Sequence, residues 1–115
     1  MMTTSIQGVD QKALELVQED NPEAFNNYIQ GLGRPVNLQK AQFRGYDLRK
    51  YNLKTADLTG AYLRHADLRG LDLSQAKLDG VSLKEAKMSG VLFPKNLLAE
   101  EIRLSFEQGT RLRCS

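Results

Sequence analysis

Residues 56–70 read ADLTGAYLRHADLRG, three copies of one five-residue pattern that runs from Val36 to Lys95. A large apolar residue occupies the third position of every copy, and a second residue, most often Ala, lies two positions before it. Repetition at a fixed period is typical of folds that stack one short unit many times. We expect the twelve third-position residues to form the structural core: Leu38, Phe43, Leu48, Leu53, Leu58, Leu63, Leu68, Leu73, Leu78, Leu83, Met88 and Phe93.

A period of five fits neither regular secondary structure. On an α-helix five residues turn through about 500°, so successive third positions would move ~140° around the axis and form no face. On a strand five is odd, so they would alternate between opposite faces. All twelve are buried only if the chain bends once per unit. Glycine often occupies the corner of the unit, where a positive φ is least costly: Gly45, Gly60, Gly70, Gly80 and Gly90.

Units such as 56–60 (ADLTG) and 66–70 (ADLRG) resemble the A-(D/N)-L-x-x signature of pentapeptide-repeat proteins. The resemblance implies an all-β solenoid, a right-handed quadrilateral β-helix with four units per coil. Twelve units would then give about three coils. Tyr46, Tyr51 and Leu71 stand where the family prefers a small residue. They suggest a locally widened coil that keeps its register.

The flanking sequences predict helical caps. Residues 1–35 form an N-terminal helical cap in this interpretation, 36–95 the β-helix and 96–115 a C-terminal capping segment, all within one structural domain. The chain looks frayed up to about Gly8. After it, Asp10 fits the N-cap of a short helix from Gln11 to Asp20.

Asn21 and Pro22 predict a second helix, which Gly31 or Gly33 ends. The two helices would cover the top of the coils; the alternative is a separate docking module.

The C-terminal segment allows two structures. The spacing of Leu98, Ile102 and Phe106 favours a helix from about Leu97 to Glu107, stopped near Gly109. A hairpin is the rival, because Ile102, Leu104 and Phe106 also alternate. Either would cover the lower end of the coils. Uncovered strand edges invite association, so an incomplete cover predicts a homodimer through an end of the β-helix.

Charge divides unevenly along the chain. The net charge is +2 overall, and residues 1–35 carry two basic and five acidic side chains. With four units per coil, residues twenty apart would form columns on the outside. Two columns are basic and make one edge, which is the candidate partner-binding surface: Arg44, Arg64, Lys84, Arg49 and Arg69.

Three interpretations of this basic edge stay open: solvated charges that discourage aggregation, a protein-binding face, or a nucleic-acid contact. Some pentapeptide-repeat proteins bind DNA gyrase, and the proposed reason is an acidic rod that imitates duplex DNA. This chain is basic on balance, so its charge does not suit a DNA mimic. Few aromatic residues lie near the basic residues, so the sequence gives little support for nucleic-acid binding.

No catalytic or cofactor-binding constellation is present in the sequence. His65 is the one histidine, and no phosphate-binding glycine motif occurs. Asp57, Asp67 and Asp72 occupy the repeat position where the family signature asks for Asp or Asn, so we expect them to be structural. Cys114 suggests an untethered tail thiol, with an intermolecular disulfide as the alternative. We expect no cofactor, no metal and no enzymatic activity.

The first residues, MMTTSIQ, lack the basic and apolar regions of a signal peptide. No apolar run approaches the ~18 residues of a membrane span, and a cytoplasmic protein is the simplest interpretation. We therefore expect a bacterial-type, non-catalytic module for protein–protein interaction or scaffolding, with an unknown protein partner. The alternative is a modulator of a DNA topoisomerase such as gyrase, or a nucleic-acid-binding protein.

Overall fold

The computed structural model describes residues 8–114. The prediction of a frayed start falls on residues 1–7, which lie outside the described residues. The domain boundaries at residues 35 and 95 stay a prediction.

Three α-helices flank the repeats: α1 is Gln11–Gln18, α2 is Pro22–Gln30 and α3 is Ala99–Gln108. The side chain of Asn21 caps α2 by accepting a hydrogen bond from the amide of Ala24 at 3.1 Å. The two helices predicted before the repeats are confirmed. After the repeats the chain forms the predicted helix and not the hairpin.

Local chemistry explains some of the helix termini but not the start of α1 or α3. Gly109 ends α3 with a φ of 76°, a conformation that glycine adopts at little cost. Asp10 does precede α1, but its side chain makes no hydrogen bond to the helix. Its carboxylate binds Arg34 and the backbone of Asn37 instead, so it fastens the helix to the repeats.

The prediction of an all-β fold is wrong. Within residues 8–114 the regular elements are the three helices, and no β-strand or sheet is formed. The right-handed quadrilateral β-helix is therefore corrected to a segment of turns and isolated β-bridges. The physical reason is the bend in every unit: the chain turns after each inward pair, so no stretch stays extended for the five or six residues of a typical strand.

Seven isolated bridges of the described residues join residues that are twenty apart in the sequence. These seven are parallel, and amide and carbonyl groups of successive twenty-residue segments hydrogen bond at about 2.8–3.2 Å. We name these segments the first layer (36–55), the second layer (56–75) and the third layer (76–95). The bridged pairs are Asn37–Asp57, Gln42–Tyr62, Asp47–Asp67, Asp57–Lys77, Tyr62–Ser82, Asp67–Lys87 and Asp72–Leu92.

The core is made of the inward side chains of the three layers. The third-position residues from Leu38 to Leu83 are at most 2% exposed, whereas Met88 and Phe93 are half-buried. Buried residues of α1 and α2 belong to the same cluster. The ring of Phe25 packs edge-on against Tyr51 with centroids 5.2 Å apart. The helices and the repeats therefore share one apolar core.

The large residues at small positions affect one bridge. Tyr51 and Leu71 lie in successive layers of the same column, and the bridge expected between Asn52 and Asp72 is missing from the described residues. The next bridge in that column, Asp72–Leu92, is present, so the register is kept. The widening predicted here stays a prediction. Tyr46 is half-buried and leaves the bridge beside it intact.

Candidate interaction surfaces

Two residues of the predicted basic edge are neutralised by neighbours in their own units. Arg49 donates two hydrogen bonds to the carboxylate of Asp47, both at 2.9 Å. Arg69 binds Asp67 in the same way, at 2.9 and 2.7 Å. The Arg69 guanidinium lowers the pKa of Asp67 to about 2, and Arg49 lowers the pKa of Asp47. Both carboxylates are therefore ionised at neutral pH and cancel the arginine charges.

A third residue of the basic edge, Lys84, anchors α3. Its Nζ donates to the carbonyl of Glu107 at 2.6 Å, near the end of the helix where backbone carbonyls lack helical partners. A cation at this end also interacts favourably with the helix dipole. Lys84 is thus part of the attachment of α3 to the third layer.

Arg44 and Arg64 are the two predicted edge residues whose side chains form neither an ion pair nor a hydrogen bond within residues 8–114. Their units are neighbours, because the amide of Gly45 donates to the carbonyl of Arg64 at 2.9 Å. Arg44 is exposed and Arg64 is half-buried, with its Nε buried and unpaired. The uncompensated part of the basic edge is this pair of arginines.

The outward aspartates have the structural role that the sequence predicted. Asp57, Asp67 and Asp72 each accept a hydrogen bond from the backbone amide two residues further on, at 2.9–3.2 Å. This is the local bond by which Asp and Asn stabilise turns. Asp or Asn therefore occupies this position of the repeat because its side chain stabilises the bend.

His65 lies at an exposed corner with a φ of 60°. Its Nδ1 is 3.5 Å from Oε1 of Glu85, one layer below. Within the described residues, no group of three or more His, Cys, Asp and Glu side chains could hold a metal ion.

The C-terminal segment is bound along the third layer. Arg111 pairs with Ser82 in an antiparallel bridge and donates to the hydroxyl of Tyr62, over whose ring its guanidinium lies at 4.9 Å. Arg113 binds Glu101 at 2.8 Å. The arginines that made the C-terminal part basic in the sequence are therefore engaged in the fold.

Cys114 is also held by this attachment. Its backbone amide donates to Oδ1 of Asp79 at 3.0 Å, and its thiol is free and half-buried. The untethered tail expected from the sequence is therefore wrong.

The exposed large apolar side chains of the described residues all belong to the segment 92–106. Leu92, Leu98 and Phe106 are 58%, 63% and 39% exposed. Beside them lies a shallow, largely apolar hollow of about 290 Å³, lined by Met88, Ala99, Ile102, Arg103 and Phe106. Partner sites are often marked by such surfaces. The sequence analysis did not name these residues as a site. The sequence did contain one sign of it, because Leu92 is an apolar residue at an outward position of its unit.

Comparison with known families identifies the repeats. A family model described as pentapeptide repeats matches residues 37–74 and 56–93, with eight copies. The chain belongs to the pentapeptide-repeat family. No curated protein and no solved structure matches the chain.

This pentapeptide-repeat protein is accordingly a repeat-protein module. None of the helices within residues 8–114 is long and apolar enough to cross a membrane.

Proposed function

We propose that this pentapeptide-repeat protein is a non-catalytic module for protein–protein interaction or scaffolding. The observation that carries the proposal is the exposure of Leu92, Leu98 and Phe106, all within the segment 92–106. Exposed apolar side chains lose contact with water when a partner covers them, which is worth about 25 cal/mol per Å² of apolar area. The partner, on this proposal, binds the C-terminal end.

The basic edge has a smaller role in this proposal. Of its five residues, Arg49, Arg69 and Lys84 have partners within the chain. Arg44 and Arg64 have no such partner within residues 8–114, so their side chains are free to contact another protein. A charged pair at the margin of an interface affects the association rate and specificity more than the affinity. We assign these two arginines to steering an acidic region of the partner.

The proposed cytoplasmic location and the proposed class of partner rest on the sequence. One cysteine in the chain suits a reducing cytoplasm, and the bacterial origin stays a prediction. Self-association through the same end is one form of the proposed interaction. The topoisomerase alternative rests on the family resemblance. The nucleic-acid alternative rests on the basic residues, of which Arg44 and Arg64 have no partner within the described residues.

Capture and reconstitution would test the proposal. Proteins captured by the wild-type chain are identified, purified and titrated against the wild type and two variants by calorimetry. The double variant Leu98→Ser/Phe106→Ser should lose at least about 1–2 kcal/mol of binding free energy, the usual cost of truncating a central contact. The variant Arg44→Glu/Arg64→Glu should slow association and retain most of the affinity.

Two results would contradict the proposal. One is a purified partner that binds the serine variant as tightly as the wild type. The other is a change in supercoiling by purified gyrase that persists in the Leu98→Ser/Phe106→Ser variant, which would favour the topoisomerase alternative. Sedimentation equilibrium of the chain alone measures self-association directly.

A further inference from the structure

Backbone groups along the lower side of the third layer lack partners. In the layer above, the amide of Leu68 donates to the carbonyl of Lys87 at 2.8 Å, and the carbonyl of Ala66 accepts from the amide of Lys87 at 2.9 Å. The equivalent groups one layer down are the amide of Met88 and the carbonyl of Ala86. Within residues 8–114 neither of them forms a hydrogen bond. We name the stretch from Ala86 to Met88 the free edge.

The chain itself shows how such an edge is filled. On the neighbouring side of the third layer, the amide of Leu112 donates to the carbonyl of Val81 at 2.9 Å, next to the antiparallel bridge of Ser82 and Arg111. An extended C-terminal segment therefore pairs antiparallel with this layer. At the next corner, the amide of Glu85 donates to the carbonyl of Phe106. Within the part of the chain that the structure describes, neither α3 nor the C-terminal segment forms a backbone hydrogen bond with the free edge.

An apolar hollow adjoins the free edge. Met88 belongs to both, and the hollow continues over Ile102 and Phe106 of α3. Its volume of about 290 Å³ accommodates an aliphatic side chain. Unpaired backbone groups beside a side-chain pocket are the combination by which extended peptides are recognised, because main-chain bonds supply affinity and the pocket supplies specificity.

The charge at the free edge selects the occupant. Lys87 is exposed and forms no ion pair with a described residue. Charges of opposite sign elsewhere approach one another across layers, as Arg49 and Asp67 do at 3.4 Å. An acidic residue opposite Lys87 would repeat this arrangement. A second copy pairing through the same edge would place two Lys87 residues opposite each other, which is unfavourable.

We propose that the free edge binds an extended, acidic segment of a partner protein as an added antiparallel strand. The segment's acidic residue lies opposite Lys87 and an adjacent aliphatic side chain enters the hollow. The Met88 amide donates to the carbonyl before the acidic residue, and the Ala86 carbonyl accepts from the amide after it. This inference rests on the proposed function, since it specifies which part of a partner binds the C-terminal end.

The test uses a labelled synthetic peptide of the sequence serine–leucine–glutamate–valine–serine, capped at both ends and titrated against the full chain by fluorescence anisotropy. Two N-methylated peptides separate strand pairing from loose apolar contact. Methylation of the valine amide blocks the bond to Ala86 and should weaken binding at least about tenfold. Methylation of the glutamate amide, which points away from the free edge, should change it little.

Charge exchange tests the orientation of the peptide. Lys87→Glu should weaken the glutamate peptide at least about tenfold, and a peptide with lysine in place of glutamate should restore binding. Lys77→Glu is the matched control. Lys77 is exposed and occupies the same position in its unit, and the amide of Leu78 and the carbonyl of Ala76 beside it are also unpaired within residues 8–114, but no residue of this stretch lines the hollow. Circular dichroism and thermal unfolding confirm that each variant is folded.

The inference is overturned if the wild type does not bind the peptide below about 1 mM. It is also overturned if the two N-methylated peptides bind equally, or if Lys77→Glu has the effect of Lys87→Glu. If the chain forms a dimer and Phe106→Ser dissociates it, the occupant of this site is a second copy of the chain and not a partner's peptide. If a purified partner needs Phe106 and yet the peptide does not bind, this inference fails while the proposed function stands.

Discussion

Asp10 and Asn37 bind each other through two hydrogen bonds. The amide of Asn37 donates to Oδ2 of Asp10 at 2.7 Å, and the amide of Asp10 donates to the carbonyl of Asn37 at 2.9 Å. In the layer below, the amide and carbonyl of Asp57 bond the first layer in the same manner. Asp10 therefore takes the place of a layer above the first one, and Arg34 holds its carboxylate with bonds of 2.6 and 3.0 Å.

Removal of this contact should destabilise the protein. Asp10→Ala leaves the amide of Asn37 and the guanidinium of Arg34 without their acceptor, and we expect a loss of about 2–3 kcal/mol in the free energy of unfolding. Asp10→Asn keeps one acceptor oxygen and should lose less. Urea denaturation followed by circular dichroism measures both. An unchanged midpoint in Asp10→Ala would show that the contact contributes nothing to stability.

The same carboxylate predicts a pH dependence. The hydrogen bonds from Arg34 hold the pKa of Asp10 below its ordinary value of 3.8. A lowered pKa in the folded state means that the carboxylate stabilises the fold above about pH 4, and that this contribution is lost as the pH falls through the lowered value. The stability difference between the wild type and Asp10→Asn should therefore shrink below pH 4. A difference that stays constant from pH 7 to 3 would contradict this assignment.

Non-glycine corners with a positive φ carry backbone strain, and His65 and Glu85 are two of them. His65 and Glu85 have φ values of 60° and 55°, in the left-handed region that costs an L-residue roughly 1–2 kcal/mol. His65→Gly should therefore raise the thermal midpoint, with a net gain of about 0.5–1 kcal/mol after the entropy cost of glycine.

Gly70→Ala is the reciprocal control for these corners. Gly70 has a φ of 78°, and a Cβ there would meet no atom within 4 Å. Any loss of stability, for which we expect about 1 kcal/mol, therefore comes from the backbone conformation alone. Stabilisation by Gly70→Ala would refute the strain argument for both corners.

The core predicts a contrast between two leucines. Leu68 is fully buried and Leu92 is 58% exposed. Leu68→Ala should cost about 2–5 kcal/mol because it removes buried methyl groups and leaves a cavity. Leu92→Ala should change stability by less than about 0.5 kcal/mol. Similar losses for the two variants, measured by urea denaturation, would contradict the inward orientation of the third-position residues.

The thiol of Cys114 should react slowly. Burial, with the nearby carboxylate of Asp79, raises its pKa to about 11 from the ordinary value of 9.0. Because the thiolate is the reactive form, alkylation at pH 8 should be between about tenfold and a hundredfold slower than in the urea-unfolded chain. Mass spectrometry of iodoacetamide-treated samples measures the rate. Equal rates in the folded and unfolded chains would show that the C-terminal segment is detached.

Much of the organisation was predictable because its causes are local. Asn21 followed by Pro22 starts α2, and Gly109 ends α3, since each effect involves only a few neighbouring residues. The turn role of Asp57 and its equivalents followed from the repeat signature for the same reason. The prediction of β-strands was wrong, because the bend in each unit leaves an extended stretch that is too short to form a strand. The third-position residues nevertheless face inward, as the sequence predicted.

The sequence by itself determined the period of five, and with it which residues face inward and where the chain turns, because local sterics and apolar burial act within each unit. Only the tertiary structure decided which charges remain unpaired and which edges remain open. Lys84 is engaged because α3 ends beside it, and Met88 keeps a free amide because α3 covers the neighbouring side. Those outcomes depend on how segments twenty or more residues apart pack together, and no local pattern encodes that packing.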